Sequence, residues 1–386
     1  MSNKVKFNGY FDNAATSFPK PENVGKEILR YLYEIGGPYG RSFYGKALDV
    51  SRFVEETRFL TSEKFGADAD NLVFTSNATY GINTVLKGMA NLENKEVLIS
   101  PLEHNAVMRP LRELENSKKI TIKTLSSDSD GFINIQNIKK SLSPKTGLVV
   151  INHQSNVNGV IQPISEIKKA IGSIPILIDA AQSAGHVEIN IDEDNLDFVA
   201  FTGHKGLLGP TGTGGIFLKH PDMIKQIVEG GTGSKSESFE TPMFLPDKFE
   251  AGTPNIVGLF GLGGALNSNL EIKHTKNDFK KFIAEVKQIA GYRVYCANSE
   301  NRQGDLFSIS ADFCDSSTLA MHLYQKHNIE TRVGLHCSPL AHKFLGTYPT
   351  GTVRIAPSKY YHSVEDFNQV IDALVRIRGN PPATEE

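Results

Sequence analysis

Seven short apolar runs lie between residues 72 and 218, and several are rich in Val and Ile. Runs that are apolar at every position are typical of strands buried on both faces of a sheet. Helical patterns separate some of them, as at Gly81–Met89 and Ser165–Ile171, and this alternation predicts a mostly parallel sheet covered by helices. The predicted strands are Leu72–Thr75, Glu96–Ser100, Ile120–Leu125, Gly147–Asn152, Ile174–Asp179, Asp197–Thr202 and Gly214–Leu218.

The pattern differs at both ends of the chain. Apolar residues recur at helical spacing from Val24 to Ile35, and Gly36-Gly37-Pro38 ends that helix. Residues 229–255 are rich in Gly, Ser, Thr and Pro, which predicts a long irregular segment. Beyond Tyr292, strands and helices resume and predict a second, smaller α+β domain: strands at Arg293–Cys296, Leu306–Ala311, Ile329–Val333 and Thr352–Ala356, and helices at Ser317–Lys326 and Val364–Ile377.

The chain of 386 residues is long enough for two or three domains, at roughly 150 residues each. We expect an N-terminal arm over 1–20, a helix over 21–37 associated with the smaller domain, and a large domain over 38–260. The smaller domain should cover 261–379, followed by a tail over 380–386.

Charge and cysteine content exclude several classes of function. Lys and Arg number 41 against 43 Asp and Glu, so nothing favours binding to nucleic acid or to an anionic membrane. The three cysteines, Cys296, Cys314 and Cys337, include no Cys-x-x-Cys pair, which argues against a disulfide scaffold and a zinc site. We therefore expect no metal. The N-terminus shows no apolar signal region and no apolar run approaches the ~20 residues of a membrane span, so we expect a cytoplasmic protein.

Common nucleotide-binding and hydrolase motifs are absent from the sequence. There is no Gly-x-x-x-x-Gly-Lys-Ser/Thr loop, no complete Gly-x-Gly-x-x-Gly fingerprint, no His-Glu-x-x-His and no Gly-x-Ser-x-Gly.

Two predicted strands instead run into chemically useful side chains. Ile176-Leu-Ile-Asp179 ends in a carboxylate at the sheet edge where α/β folds bind ligands. The next strand runs into Thr202-Gly-His204-Lys205, and a desolvated lysine there would have the lowered pKa that Schiff-base chemistry needs. Each has an ordinary alternative: Asp179 could only cap the next helix, and Lys205 could be an exposed loop residue.

Two further segments carry candidate chemistry. Thr75-Ser-Asn-Ala78-Thr79-Tyr-Gly81 is a strand-to-helix turn whose free N–H groups would suit a phosphate, although these residues are also ordinary caps. Cys337 follows His336 in a loop flanked by Gly and Pro, where it could be a reactive thiol or a small buried hydrophobe. A Schiff-base lysine, a partner for a pyridinium nitrogen and a phosphate site are the groups that pyridoxal 5'-phosphate (PLP) requires.

With these residues the sequence resembles the class V aminotransferase family, and within it the cysteine desulfurase and selenocysteine lyase branch. The resembling motifs occur in the family's order from residue 11 to 354: Phe11-Asp-Asn-Ala-Ala-Thr16, Glu103-His104-Asn105, Ser155-Asn156-Val-Asn-Gly159, Asp179-Ala-Ala-Gln182, Thr202-Gly-His204-Lys205, Phe249-Glu-Ala-Gly-Thr253-Pro-Asn, Arg332-Val-Gly-Leu-His-Cys337 and Thr352-Val-Arg354. The resemblance implies an α/β protein of PLP-dependent transferase fold type I, with a mostly parallel seven-stranded sheet in its large domain and a smaller C-terminal α+β domain.

The resemblance also implies residue roles. Lys205 would bind the cofactor covalently and shuttle the Cα proton, Asp179 would pair with the ring nitrogen, and His104 would stack on the ring. The other cofactor contacts would come from Ala78, Thr79, Asn156, Gln182, Thr202, His204 and, across a homodimer with shared sites, Thr253. An amino-acid substrate would be held by Asn13, Ala14, Asn156, Arg332 and Arg354, with the planar guanidinium of Arg354 clamping the carboxylate.

Cys337 would accept the sulfur of L-cysteine as a persulfide and leave alanine, and a partner protein or reductant would then take the sulfur. Two departures from the family's wording matter: Ala78 replaces a threonine, which removes one phosphate hydroxyl, and the loop reads His-Cys-Ser-Pro-Leu-Ala-His. The alternatives are a selenocysteine lyase and another PLP reaction that does not use Cys337, such as β-elimination, epimerisation or transamination. A non-catalytic PLP-binding or partner-binding protein is a further alternative, which the presence of Lys205 and Asp179 opposes.

Overall fold

A seven-stranded sheet organises the larger part of the protein. The computed structural model describes residues 9–40, 42–89, 91–117 and 119–382. The strands are β1 (Leu72–Thr75), β2 (Lys95–Ile99), β3 (Ile120–Thr124), β4 (Thr146–Asn152), β5 (Ile176–Asp179), β6 (Phe198–Thr202) and β7 (Gly214–Leu218). Their order is β1-β7-β6-β5-β4-β2-β3, and only β7 is antiparallel to its neighbours. The predicted mostly parallel sheet is confirmed.

Helices cover both faces of this sheet. They are α1 (Glu22–Arg30), α2 (Gly45–Lys64), α3 (Ala78–Gly88), α4 (Asn105–Asn116), α5 (Ile135–Ser141), α6 (Ile164–Ile171) and α7 (Ile256–Leu266). One face buries Val54, Phe201 and Phe260 in a single apolar cluster, and the other buries Val85 and Ile99. The strands are apolar on both sides because both sides are covered.

A second, antiparallel sheet and its helices form the C-terminal part. Its strands β8 (Tyr292–Tyr295), β9 (Phe307–Ala311), β10 (Arg332–Gly334) and β11 (Thr352–Ile355) are ordered β10-β11-β9-β8. Helices α8 (Lys276–Gln288), α9 (Ser316–His327), α10 (Pro339–Phe344) and α11 (Val364–Gly379) accompany it. Phe282, Phe307 and Phe367 lie in its separate core, as a smaller α+β unit requires.

The contacts of two helices bear on the expected domain limits. Helix α1 packs against α7, and α7 also packs against α2. Helix α7 crosses the expected limit at residue 260, and its Phe260 lies in the core of the larger sheet. We therefore propose that helix 21–37 and α7 both belong to the larger part. Residues 1–8 of the expected arm and 383–386 of the expected tail lie outside the described residues.

The long segment after β7 has no regular structure between 229 and 255, as its composition predicts. Among the described helices, none combines the length and apolar character that crossing a bilayer needs.

Candidate active site

An open cavity of about 470 Å³ lies at the carboxyl ends of the central strands. Asn152 of β4, Asp179 of β5 and Thr202 of β6 reach it from neighbouring strands, because parallel strands place their carboxyl ends at one edge. The structure brings together nine of the ten predicted cofactor residues here: Ala78, Thr79, His104, Asn156, Asp179, Gln182, Thr202, His204 and Lys205. Sequence reasoning missed the other lining residues, Asn77, Ala106, Asn152 and Ala181.

Lys205 stands just beyond β6 with an unengaged amino group. Within the described part of the chain its Nζ makes no hydrogen bond or ion pair. Desolvation lowers the pKa of Lys205 to about 8; the charge of Arg354 acts in the same direction and that of Asp179 opposes it. A lysine that loses its proton near pH 8 can supply a neutral, nucleophilic amine.

The peptide before Lys205 is held by the N-terminal segment. The carbonyl oxygen of His204 accepts hydrogen bonds from the backbone N–H of Ser17 at 3.0 Å and from the Thr16 hydroxyl at 3.1 Å. It also accepts one from Lys20 Nζ at 2.8 Å. These donors fix the backbone from which the Lys205 side chain extends.

Asp179 is buried at the end of β5 with one oxygen available. Its Oδ1 accepts from the backbone N–H of Ala181 at 3.0 Å, and its Oδ2 has no partner among the described residues. Burial raises the pKa of Asp179, while the Ala181 N–H and the charge of Lys205 act against that rise. A cationic N–H placed against Oδ2 would keep this carboxylate ionised.

Glu103 is fully buried next to Asn152, which lines the cavity. The sequence analysis assigned no role to it. Its Oε1 accepts from the Ser100 hydroxyl at 2.6 Å and from the Asn152 N–H at 2.7 Å. Burial raises its pKa to about 8, with the charge of Asp179 adding to the rise. The protonated form of Glu103 is therefore favoured by its burial.

His104 caps helix α4, which fixes its ring. Its Nδ1 accepts from the backbone N–H of Ala106 at 3.0 Å, so the neutral ring carries its proton on Nε2. Burial lowers the pKa of His104 to about 4, helped by the charges of Lys205 and Arg109. The ring therefore meets the cavity as an uncharged, flat group, which suits stacking on an aromatic ring.

Cys337 sits on an exposed loop that is tied down on both sides. Asn156 Nδ2 donates to the carbonyl oxygen of His336 at 2.7 Å, and Asn156 Oδ1 accepts from the Ser338 hydroxyl at 2.7 Å. The backbone N–H of Asn105 donates to the carbonyl oxygen of Cys337 at 2.9 Å. The thiol is free, and its charge is close enough to influence the pKa of Lys205.

The predicted substrate residues fall into two groups. Arg354 is buried and donates from Nη2 to Asp12 at 2.8 Å and from Nη1 to the carbonyl oxygen of Asn156 at 3.2 Å. Its Nε has no partner among the residues described. Arg332 pairs with it in register across β10 and β11. Asn13 and Ala14 serve the backbone instead: Asn13 donates to the carbonyl oxygen of Ala356 at 3.0 Å, and the carbonyl oxygen of Ala14 accepts from Gln182 at 2.9 Å. Their substrate contacts stay predictions.

Thr253 lies outside this cavity. It lines a neighbouring cavity of about 850 Å³ together with Ser76, Tyr80 and Gly212. The two cavities flank the turn between β1 and α3, since Asn77, Ala78 and Thr79 line the first. Thr253 therefore lies on the other side of the β1–α3 turn from the first cavity.

The donor set of the cavity fits PLP. Asn77 caps α3 by accepting from the Tyr80 N–H at 3.0 Å, and the first helical N–H groups, at Ala78 and Thr79, have no intrahelical acceptor. His204 adds a buried Nδ1 that has no partner in the part of the chain that the structure describes. These groups suit a phosphate at one end, and Lys205 and Asp179 Oδ2 offer an amine and a carboxylate at the other.

Several known proteins are similar to this chain in sequence and structure. A probable cysteine desulfurase from Methanothermobacter thermautotrophicus is 30% identical over 96% of this chain and 94% of its own length. Another probable cysteine desulfurase, from Borreliella burgdorferi, is 32% identical over 86% of this chain and 83% of its own. The solved structure of a cysteine desulfurase from Thermococcus onnurineus superimposes with a TM-score of 0.88 at 26% identity, covering 96% of this chain and 95% of the other.

The family model described as aminotransferase class-V matches residues 9–370, which is nearly the whole chain. The match takes in both sheets and every residue that lines the cavity. The chain belongs to the class-V aminotransferase family.

Proposed function

We propose that this protein is a PLP-dependent cysteine desulfurase that converts L-cysteine to L-alanine and takes the sulfur onto Cys337. The observation that carries the proposal is a free thiol on a loop bonded directly to Asn156, a residue that lines the cavity holding Lys205. Simple amino-group chemistry needs no thiol at that place. Family members and relatives of this name support the same conclusion.

The chain's own residues divide the cofactor work among them. When bound, PLP supplies an electron sink conjugated to the substrate's Cα. Lys205 Nζ would hold the cofactor and move the proton at Cα, for which its lowered pKa near 8 is suited. Asp179 Oδ2 would pair with the ring nitrogen and favour its protonated form, and the uncharged His104 ring would stack on the cofactor ring.

The sulfur step uses Cys337 as nucleophile. Its thiolate attacks the sulfur of the bound cysteine, so that a sulfur–sulfur bond forms as the Cβ–sulfur bond breaks. The electron pair of the broken bond goes to the substrate's Cβ, which takes a proton and leaves as alanine. The persulfide sulfur then passes to a thiol reductant or to the thiol of an acceptor protein, which restores Cys337.

Substrate binding falls to the paired guanidiniums. Arg354 is buried with a free Nε, and Arg332 lies beside it, so a carboxylate would meet two positive charges. A bidentate contact is strong because both partners are charged. Asp12, which already holds Nη2 at 2.8 Å, orients the guanidinium for that contact.

A homodimer is part of the proposal. Large apolar side chains are exposed on α2, at Leu48 and Phe59, just before it, at Phe43, and in the irregular segment, at Phe239 and Met243. Exposed apolar groups of this kind mark association surfaces. Thr253, in the cavity behind the β1–α3 turn, would then contact the phosphate bound by the partner chain.

Mixing two variants tests the shared site. A Lys205→Ala chain and a Thr253→Val chain, each impaired alone, should recover part of the activity when refolded together, because one mixed site keeps both residues. A monomer in light scattering that is fully active would contradict the shared site.

A second candidate is β-elimination on the same scaffold, which would leave Cys337 without a chemical role. Product analysis separates the two. We expect the protein with PLP, L-cysteine and a thiol reductant to form alanine and sulfide in equal amounts, and Cys337→Ala to form neither. Pyruvate, or turnover that ignores Cys337, would overturn desulfuration. The same assay with selenocysteine tests the lyase alternative.

A further inference from the structure

A third cavity, of about 970 Å³, lies between the larger and the C-terminal parts of the protein, and it shares no described lining residue with the active site. The larger part of the protein contributes Ile161 and Val187 to its wall. The C-terminal part contributes Ile272 and Phe279. Small-molecule sites are concave and favour junctions between domains.

The charge around this junction cavity is positive. Lys276, Lys280 and Lys359 line it, against a single lining carboxylate, Asp305. That carboxylate is already engaged, because Gln154 Nε2 donates to it at 2.6 Å and His186 Nδ1 lies 3.0 Å from it. Among the described residues, Lys280 pairs only with an exposed Glu300 at 3.8 Å, and Lys276 and Lys359 form no ion pair, so the charge of the three lysines is largely uncompensated. An anion is the complementary occupant.

A buried acceptor adds a second requirement. Gln154 is 1% exposed and lines the cavity, and its Oε1 has no hydrogen-bond partner among the described residues. Its Nε2 is committed to Asp305, so the amide cannot rotate to satisfy that oxygen without losing the existing bond. Buried polar atoms are normally paired, and a ligand donor would pair this one.

We propose that the junction cavity binds a small organic anion with an apolar or aromatic body and an N–H or O–H group, and that binding there alters turnover at the active site. The apolar walls would contact the apolar body of the ligand, and the lysines would pair with its negative charge. Gln154 Oε1 would accept a hydrogen bond from its N–H or O–H group. This inference rests on the proposed desulfurase reaction only for its activity readout.

Two contacts connect the junction cavity to the catalytic segments. The His186 ring packs against the backbone beside the catalytic lysine, since a Cβ added at Gly206 would lie 2.4 Å from it. Gln154 stands two residues before Asn156, which holds the Cys337 loop. A ligand that touches His186 and Gln154 therefore bears on both the Lys205 and the Cys337 segments, and it can shift turnover by favouring one arrangement of them.

The binding test uses the PLP-loaded protein and the aromatic sulfonate 8-anilinonaphthalene-1-sulfonate (ANS) as probe. We expect saturable fluorescence, and at least tenfold weaker binding in Lys280→Ala/Lys359→Ala. The matched control is Lys281→Ala/Lys287→Ala, which removes two exposed lysines from α8, the helix that also carries Lys280. Equal ANS affinity in the double variant and its control would overturn the proposed site.

The coupling test measures alanine formation with and without saturating ANS. We expect kcat or KM for L-cysteine to change in the wild type and in the control, and to stay constant in Lys280→Ala/Lys359→Ala. Rates that ignore ANS in every protein would overturn the coupling. A wild type that binds ANS but forms no alanine would refute the proposed reaction and leave the binding result standing.

Discussion

The Asn156 amide donates to the carbonyl oxygen of His336 at 2.7 Å, and so joins the cofactor cavity to the loop that carries the thiol. His336 and Cys337 both adopt left-handed backbone angles, with φ of 48° and 58°. Non-glycine residues rarely hold that conformation without support. Asn156 supplies that support. Its side chain is therefore engaged by the loop, although the family resemblance assigns it to the cofactor and the substrate.

Removing the second contact of that side chain should slow sulfur transfer. Ser338→Ala deletes the hydrogen bond to Asn156 Oδ1 and leaves a buried acceptor unpaired, at a cost of about 1–3 kcal/mol. We expect kcat to fall about fivefold or more while KM for L-cysteine changes little. Rapid-quench measurement of persulfide formation checks this. Ser317→Ala, an exposed serine on α9, is the control, and an equal effect there would refute a specific role.

Lys20 should act as a positioning residue for Lys205. Its Nζ donates to the carbonyl oxygen of His204 at 2.8 Å and to the Ser17 hydroxyl at 2.7 Å, and desolvation lowers its pKa to about 8. Lys20→Met should reduce kcat about tenfold, since hydrogen bonds from charged donors contribute about 1.5–3 kcal/mol. Lys26→Met, at an exposed position on α1, should leave kcat unchanged. The pH midpoint of cofactor capture should stay unchanged in Lys20→Met, and a displaced midpoint would mean that Lys20 acts through its charge.

Cofactor capture by the PLP-free protein should depend on the Lys205 amine. Because its pKa is lowered to about 8, the neutral amine is scarce below that pH and the capture rate should rise through pH 8 and then level off. Arg332→Gln removes a charge that lowers this pKa, so it should move the midpoint to higher pH. Stopped-flow absorbance from pH 6.5 to 9.5 measures both midpoints, in a range set around the lysine's perturbed value. A flat profile, or identical midpoints, would contradict the account.

The irregular segment should be anchored by a buried ion pair. Glu250 accepts from Arg58 at 3.0 Å and from the backbone N–H of Phe74 at 2.6 Å. Glu250→Gln leaves Arg58 partly uncompensated, and we expect a loss of about 3 kcal/mol in the free energy of unfolding, at the low end because Glu55 still contacts Arg58. Urea denaturation measures it. Glu229→Gln, exposed in the same segment, should be neutral, and a similar loss there would contradict the anchor.

The fold was predictable where burial follows simple periodicity. The seven strands are apolar throughout because helices cover both faces, and each was placed to within two residues at either end. The 20-residue helix α2 was not predicted. Its buried side includes Thr57, Arg58 and Thr61, which hydrogen-bond to backbone carbonyls or to Glu250, so its inner face does not appear apolar in the sequence.

The site was predictable only at the level of residue identity. Motifs located Lys205, Asp179 and His104. They could not show that the Asn156 side chain is hydrogen-bonded to the Cys337 loop or that Lys20 donates to the carbonyl oxygen of His204. Those contacts join residues 180 and 184 positions apart. Asn152 could have been suspected, because it ends a predicted strand beside Asp179 and the two pair in register.

The most direct test of the central claim is to find where the sulfur goes in one turnover. The PLP-loaded protein is mixed with one equivalent of L-cysteine without reductant, alkylated, digested and analysed by mass spectrometry, while released alanine is quantified. The account predicts one extra sulfur atom on the peptide containing Cys337, in amounts equal to the alanine formed, and none on the peptides of Cys296 and Cys314. Alanine without sulfur on Cys337, or pyruvate in its place, would contradict it.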